Sequence, residues 1–266
     1  MSILNDGLVF AGTRAIATRC LLFIIETSGR DAVSAILGAP RNEKTCWRNE
    51  TNRELWEIAD QYGIPFLDSM NDIAPHGGFL VSVIWPWIFP ANILAQFDQG
   101  GINLHPAPLP EYRGSRGRTH AILNGDESFG VTVHYLSEQL DGGDIIGELR
   151  FPILDLETAS SLDTRTQHYG YVLFCESWLR LLDGSATRRS QSELITEGKR
   201  EAHLYTTRMT TELLMSKEVQ RSAKELERLY RALYLPPLVM PPEWLVERVQ
   251  PKHLVVRQES GQLRTS

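Results

Sequence analysis

Hydrophobic positions along this chain follow two periods, one of two residues and one of three to four, and the switches between them mark its elements. Residues 8–11 form an apolar run closed by Gly12, and an amphipathic stretch follows over 14–26, which reads as strand, tight turn and helix. Residues 32–37 supply a second strand. Thr51-Asn52-Arg53-Glu54 has capping-box spacing, so a helix is expected after it with Leu55, Ile58, Ala59 and Tyr62 on one face and Gly63 at its end. The runs 79–84 and 102–105 are apolar without interruption, as in strands covered on both faces, with a short helix near 92–97 between them. Residues 130–136 alternate as a later strand, and 145–153 follow as another. Strands and helices taking turns in this way predict an α/β fold built on a doubly wound, mostly parallel sheet.

A long helix is marked by Leu162, Thr166, Tyr169, Val172, Leu173 and Leu179 and stops near Gly184, closing a first domain over residues 1–185. Residues 186–200 are polar and aperiodic and read as a linker. The remainder, 201–266, is a small helical and extended appendage, with a helix signalled by Val219, Ala223, Leu226, Leu229, Tyr230 and Leu233 and stopped by Pro236-Pro237.

Composition changes this picture little. At 266 residues the chain can bury its own core, and 42% hydrophobic with 23% charged residues is ordinary for a globular protein. Cys20, Cys46 and Cys175 are far apart and odd in number, which suggests neither a disulfide framework nor a zinc site and fits a reducing, cytoplasmic setting. The first residues show no signal-peptide pattern, and no window is long and apolar enough for a membrane span. Net charge is −6, with 15 Lys/Arg against 25 Asp/Glu in residues 1–198 and 12 against 8 afterwards. An acidic body of that kind lacks the basic surface that phosphate backbones require, so neither nucleic acid nor membrane is an expected partner.

Chemistry concentrates in Ile102-Asn103-Leu104-His105-Pro106. Asn103 and His105 are two apart on a strand and project to one side, and the crevice beyond the carboxyl ends of parallel strands is where ligands bind. A carboxamide and an imidazole there supply a hydrogen-bond donor and a proton carrier, a pair suited to acyl transfer, although a lone histidine at a strand end is more often structural. Asp141, just before Gly142-Gly143, sits on a turn from which a carboxylate can reach a histidine. His134, in an alternating strand, reads as structural. Trp85, Trp87 and Phe89 suit a plain core as well as a ligand surface. The Gly12 region has no G-x-G-x-x-G, so dinucleotide binding is poorly supported, while a substrate phosphate near Gly12, Thr13 and Arg14 stays open.

The stretches INLHPAPLPEYRG and GVTVHYLSEQLDGGDII, with VFAGT near the start and IWPWIFPANIL before the first motif, resemble the folate-dependent formyltransferases over roughly the first 185 residues. That family includes glycinamide ribonucleotide transformylase, methionyl-tRNA formyltransferase and the sugar N-formyltransferases. The resemblance implies a Rossmann-like formyltransferase fold, 10-formyltetrahydrofolate as formyl donor, and Asn103, His105 and Asp141 as the catalytic set. It also implies that the pterin packs on Trp87, Ile88 and Phe89 and on the loop from Leu136 to Leu140. Gly12, Thr13, Arg14 and Arg113 are candidate substrate contacts. Ala107 stands where many members have a serine, and Trp85-Pro86-Trp87 is richer in tryptophan than usual.

By the same comparison Asn103 donates to the oxygen that turns negative as an amine attacks the formyl carbon, worth about 3 kcal/mol on the scale of oxyanion-hole deletions. His105 either takes the amine proton or, already charged, adds to the oxyanion hole. The tail, with Leu229-Tyr230-Arg231-Ala232-Leu233 before the prolines, is similar to that of sugar N-formyltransferases, which implies a nucleotide-linked amino sugar as acceptor, cell-surface polysaccharide synthesis such as that of O-antigen lipopolysaccharide, and a homodimer, with residues 229–244 equally suited to be its contact or a core-packed tail. Methionyl-tRNA formyltransferases carry a larger basic C-terminal domain than the 66 residues that follow Arg200. Glycinamide ribonucleotide, methionyl-tRNA, simple hydrolysis of the donor and non-catalytic binding remain the alternatives.

Overall fold

The computed structural model describes residues 6–39, 54–73, 77–215, 222–236 and 239–249. In chain order the elements begin with strand β1 (Leu8–Gly12), helix α1 (Arg14–Ser28), β2 (Val33–Leu37), α2 (Leu55–Tyr62), β3 (Phe66–Leu67), β4 (Phe79–Val83), α3 (Ala91–Leu94) and β5 (Gly101–His105). They continue with β6 (Arg113–Gly114), α4 (Gly117–Asn124), β7 (Ser128–Tyr135), β8 (Ile145–Pro152), α5 (Ala159–Leu182), α6 (Gln191–Thr196), β9 (Leu204–Tyr205), α7 (Thr207–Met215), α8 (Ala223–Leu233) and α9 (Glu243–Val249).

Seven strands form one sheet in the order β3-β2-β1-β4-β5-β7-β8. The first five run parallel, and β7 and β8 join antiparallel. The strand period of two divides the core between its faces. Leu8 and Phe10 of β1, Val81 and Val83 of β4, and Ile102 and Leu104 of β5 pack on one side with α1 and α5, while Val9, Ala11 and Leu80 pack on the other against Ile93 and Phe97. Central strands are therefore apolar on both faces, and the polar exceptions, Ser82, Asn103, His105, Thr132 and His134, stand out as positions where packing is not the purpose.

The α/β architecture and the strand and helix order agree with the pattern read from the sequence, with three local differences. Helix α2 is capped by Glu54, whose backbone N–H donates to Glu57 Oε2 at 2.6 Å, three residues later than the expected Thr51; residues 51–53 lie outside the described residues, as do Cys46 and Val219. The stretch expected as a linker contains α6, and Arg189 pairs with Ile145 at the sheet. The apolar side chains offered as a dimer contact, Leu229, Tyr230 and Leu233, are buried within the chain with Leu245 and against Leu123, which is the core-packed alternative. Among the described residues, no helix is long and apolar enough to cross a membrane.

Trp178 of α5 is fully buried, stacks on Phe174, and its indole N–H reaches Thr27 Oγ1 at 3.2 Å and Ser28 Oγ at 3.3 Å, tying α5 to the end of α1. Trp178→Ala leaves a cavity and removes that tie, so urea denaturation should show about 3–5 kcal/mol less stability than wild type.

Candidate active site

Asn103 and His105 share the face of β5 that carries polar residues. Because β7 runs antiparallel beside β5, Asn103 lies opposite His134 and His105 opposite Thr132. The Asn103 amide nitrogen is 3.1 Å from His134 Nε2, and His134 Nδ1 is 2.8 Å from the Tyr135 carbonyl oxygen. A carbonyl only accepts, so Nδ1 carries the proton and Nε2 accepts an N–H from Asn103. Burial pushes the His134 imidazole down to about 4, against the opposing pull of Asp141, so it is neutral near pH 7. His134, read as structural from the sequence, thus belongs to the site and orients Asn103.

His105 is buried, and its Nε2 donates to the Tyr112 carbonyl at 2.7 Å. That bond turns Nδ1 toward Asp141, whose Oδ1 is 3.6 Å from His105 Nδ1 and 3.7 Å from His134 Nε2, beyond hydrogen-bond range but close for charge. Asp141 has φ of 49°, an αL conformation that Asp tolerates, and its Oδ2 accepts the Gly114 N–H at 2.8 Å. Gly143 is obligatory in the same turn, since a Cβ there would lie 1.9 Å from the Tyr135 carbonyl oxygen. All three expected catalytic residues converge.

The turn is held from the supposed linker. Gln191, buried at the start of α6, donates to the Asp141 and Gly143 carbonyls at 2.9 and 2.7 Å and accepts from Arg113 Nε and Nη2 at 3.1 and 2.8 Å. Burial lowers the Arg113 guanidinium below its usual value, with Asp141 opposing. Arg113 was expected to contact substrate; it instead braces the Asp141 turn and does not line the cleft. Thr132 fixes the neighbouring loop, its hydroxyl donating to the Ala107 carbonyl at 2.9 Å and accepting from the Leu109 N–H.

A cleft of about 510 Å³ opens over these residues. One wall carries Trp87 and Ile88, 43% and 65% exposed, and Leu140, 37% exposed, while Phe89 is buried and stacks against Trp85 at 6.1 Å. Large apolar side chains left open beside a polar site suit a flat heteroaromatic ligand. Trp85 Nε1, buried in the lining and without a hydrogen-bond partner, is a donor that such a ligand can satisfy. Leu136 also lines this side, so every residue expected to hold the pterin reaches the cleft, with Phe89 mainly as support.

On the other wall are Thr13 and Arg14, but not Gly12, whose absent side chain answers to packing: a Cβ would sit 2.6 Å from Ala17 Cβ. Among the described residues, four non-glycine residues have positive φ, Arg14, Ile84, Arg116 and Asp141, and all four line the cleft. For β-branched Ile84 this is costly backbone, of the kind retained where a site demands it.

Residues 66–177 match the family model described as formyl transferase. The methionyl-tRNA formyltransferase of Coxiella burnetii is 31% identical over 195 residues, covering 70% of this chain and 62% of its own length, and that of Bacillus licheniformis is 29% identical over 195 residues, covering 70% and 61%. The chain thus spans about three fifths of the length of the curated relatives it matches. Among solved structures, the N-formyltransferase of Helicobacter canadensis in complex with folinic acid and dTDP-3-aminofucose superposes with a TM-score of 0.74 at 21% identity, covering 89% of this chain and 84% of that one. A 4-N formyltransferase of Francisella tularensis gives 0.67 at 18%, covering 87% and 89%. Residues 66–177 thus match the formyl transferase family, and the chain shares the fold of these solved formyltransferases.

Proposed function

We propose that the protein transfers a formyl group from 10-formyltetrahydrofolate to the amine of a nucleotide-linked amino sugar, serving synthesis of a surface polysaccharide. The observation that carries the reading is the meeting of Asn103, His105 and Asp141 at the floor of a cleft with an exposed apolar wall. Bound there, the folate supplies an electrophilic formyl carbon. Trp87, Ile88 and Leu140 offer the surface for its ring system, as the resemblance implies.

Asn103 is held by one N–H on His134, leaving the other to meet the carbonyl oxygen as negative charge grows on it. His105, with Nε2–H committed to Tyr112, has Nδ1 to accept the proton that the amine loses on attacking carbon. The carboxylate of Asp141, 3.6 Å away, then faces the imidazolium so formed, and the same proton is available to the departing folate nitrogen. Preorganisation lowers the barrier because neither ring has to turn.

The sugar acceptor is favoured over methionyl-tRNA by charge. A net charge of −6 suits a small acceptor better than an RNA. Solved sugar N-formyltransferases also superpose on 87–89% of this chain. Incubation with 10-formyltetrahydrofolate and a panel of nucleotide amino sugars, read by mass spectrometry, should show one acceptor gaining one formyl unit. Formate release with every sugar unchanged would overturn the reading in favour of hydrolysis, and formylation of methionyl-tRNA alone would move it to the tRNA enzymes.

In that assay Asn103→Ala should lower kcat by about 10²–10³ with KM little changed, since the donor acts on charge that exists only in the transition state. His105→Ala and Asp141→Asn should each cost at least about a hundredfold. The His134 shift carries a pH signature. Its folded value lies below the unfolded one, so the unfolded chain takes up the proton first as pH falls from about 6.5 toward 4, and the stability that neutral His134 contributes is lost in that window and intact above it. The stability gap between wild type and His134→Gln in urea should therefore narrow over that range; a gap constant with pH would show that His134 titrates normally.

A further inference from the structure

One short segment, residues 112–114, touches both members of the His105 and Asp141 pair: the Tyr112 carbonyl accepts from His105 Nε2, and the Gly114 N–H donates to Asp141 Oδ2. Among the described residues its strand partner is β9, which lies beyond the residues 66–177 that match the family model. There the Arg113 N–H donates to the His203 carbonyl at 3.0 Å and the Ser115 N–H to the Tyr205 carbonyl at 2.9 Å. The Tyr112 ring is anchored as well. It is buried and stacks on Tyr205 with centroids 5.1 Å apart, and Tyr205 stacks in turn on His120 at 4.3 Å. Its phenol donates to Asp126 Oδ2 and accepts from Asn124 Nδ2 at 3.0 Å. Burial first, and then the bond to Asp126, raise the phenol well above its ordinary value, so it keeps the proton that it donates.

What this anchor controls is a tautomer. A neutral imidazole shares one proton between two nitrogens, and the hydrogen bond made by one nitrogen decides the state of the other. Asp141 Oδ1, 3.6 Å from His105 Nδ1, draws a proton to Nδ1, which would leave no lone pair there for the proton of an attacking amine. The Tyr112 carbonyl, 2.7 Å from Nε2, holds the proton on the opposite nitrogen. Being the shorter contact, it prevails while the carbonyl stays in place. Neither Tyr112 nor Asp126 lines the catalytic cleft, and both border a separate one of about 450 Å³, so neither is placed to touch a ligand over His105.

We infer that Asp126 and Tyr205 are positioning residues for His105, acting through the Tyr112 carbonyl to keep Nδ1 free to accept a proton. The inference rests on the formyl-transfer reading for the role of His105, and adds that the segment around β9 completes the catalytic machinery. Tyr205 also borders the catalytic cleft, so Asp126 is the cleaner probe.

The test is nitrogen-15 NMR of the histidine rings in the full chain at about pH 8, well above the reference imidazole value, with His105 assigned by its loss in His105→Gln. Turnover is measured alongside, with the acceptor that the formylation screen identifies. Wild type should carry the His105 proton on Nε2. Asp126→Ala should move part of the population to the Nδ1–H form and lower kcat at least about tenfold, as small misplacements of catalytic groups do, with folinic acid affinity unchanged. Asp126→Asn, which keeps an oxygen to accept from the phenol, should recover most of that loss. Tyr205→Leu should move the tautomer in the same direction, and Tyr205→Phe, which keeps the stacked ring, should restore it. Tyr112→Phe removes the bond to Asp126 from the other side and carries the test if Asp126→Ala does not fold. A folded Asp126→Ala or Tyr112→Phe protein with the wild-type tautomer overturns the inference whatever its kcat, as does an Asp126→Asn protein as impaired as Asp126→Ala. Absence of formyl transfer by wild type strikes the formyl-transfer reading instead, and the tautomer result stands by itself.

Discussion

A carboxamide on a buried strand must have its hydrogen bonds satisfied or lose stability, and the site depends on how Asn103 meets that requirement. The partner comes from across the ladder, where β7 runs against β5 and places His134 opposite. Because His134 already gives its Nδ1 proton to a backbone carbonyl, it can only accept, and the Asn103 amide has one orientation. Burial keeps the imidazole neutral, so the arrangement survives at ordinary pH. Had β7 continued the parallel order of the first five strands, this pairing would not arise; the reversal at the sheet's edge is what gathers polar residues from two strands onto one face.

Everything around that face works to hold a carboxylate and a second histidine in place. The Tyr112 carbonyl turns His105, the Gly114 N–H takes one oxygen of Asp141, and Gln191 clamps the backbone of the Asp141 turn while accepting from Arg113. Local strain at Ile84, Arg14, Arg116 and Asp141 is tolerated because the packed sheet beneath them is fully buried. The two walls of the cleft differ in kind, one apolar and open, the other carrying Thr13 and Arg14, as a site for a flat ring system and a polar acceptor would need.

The period-two runs exposed most of the sheet, and Asn103, His105 and Asp141 stand out as polar residues beside apolar segments, glycines and prolines, but their reading as a catalytic set comes from the resemblance to the formyltransferases. His134 was undervalued although Val131 and Val133 alternate with Thr132 and His134; its partner depends on strand register, which a single strand does not encode. Gln191 was hidden because a six-residue helix in a polar stretch has too little periodicity to register, and its weight comes from contacts fifty residues away. Arg113 was misplaced for a related reason: a charged residue after a stiff loop suggests an exposed contact, and only the fold shows a buried glutamine waiting for it.

The most direct measurement of the central claim, that Asn103, His105 and Asp141 surround one reacting carbonyl, is a crystal structure of this protein with a hydrolysis-resistant formyl-folate analogue. The formyl oxygen should lie within hydrogen-bond reach of Asn103 Nδ2, with the pterin against Trp87 and Leu140. An analogue bound elsewhere, or with its formyl group turned away from Asn103 and His105, would contradict it.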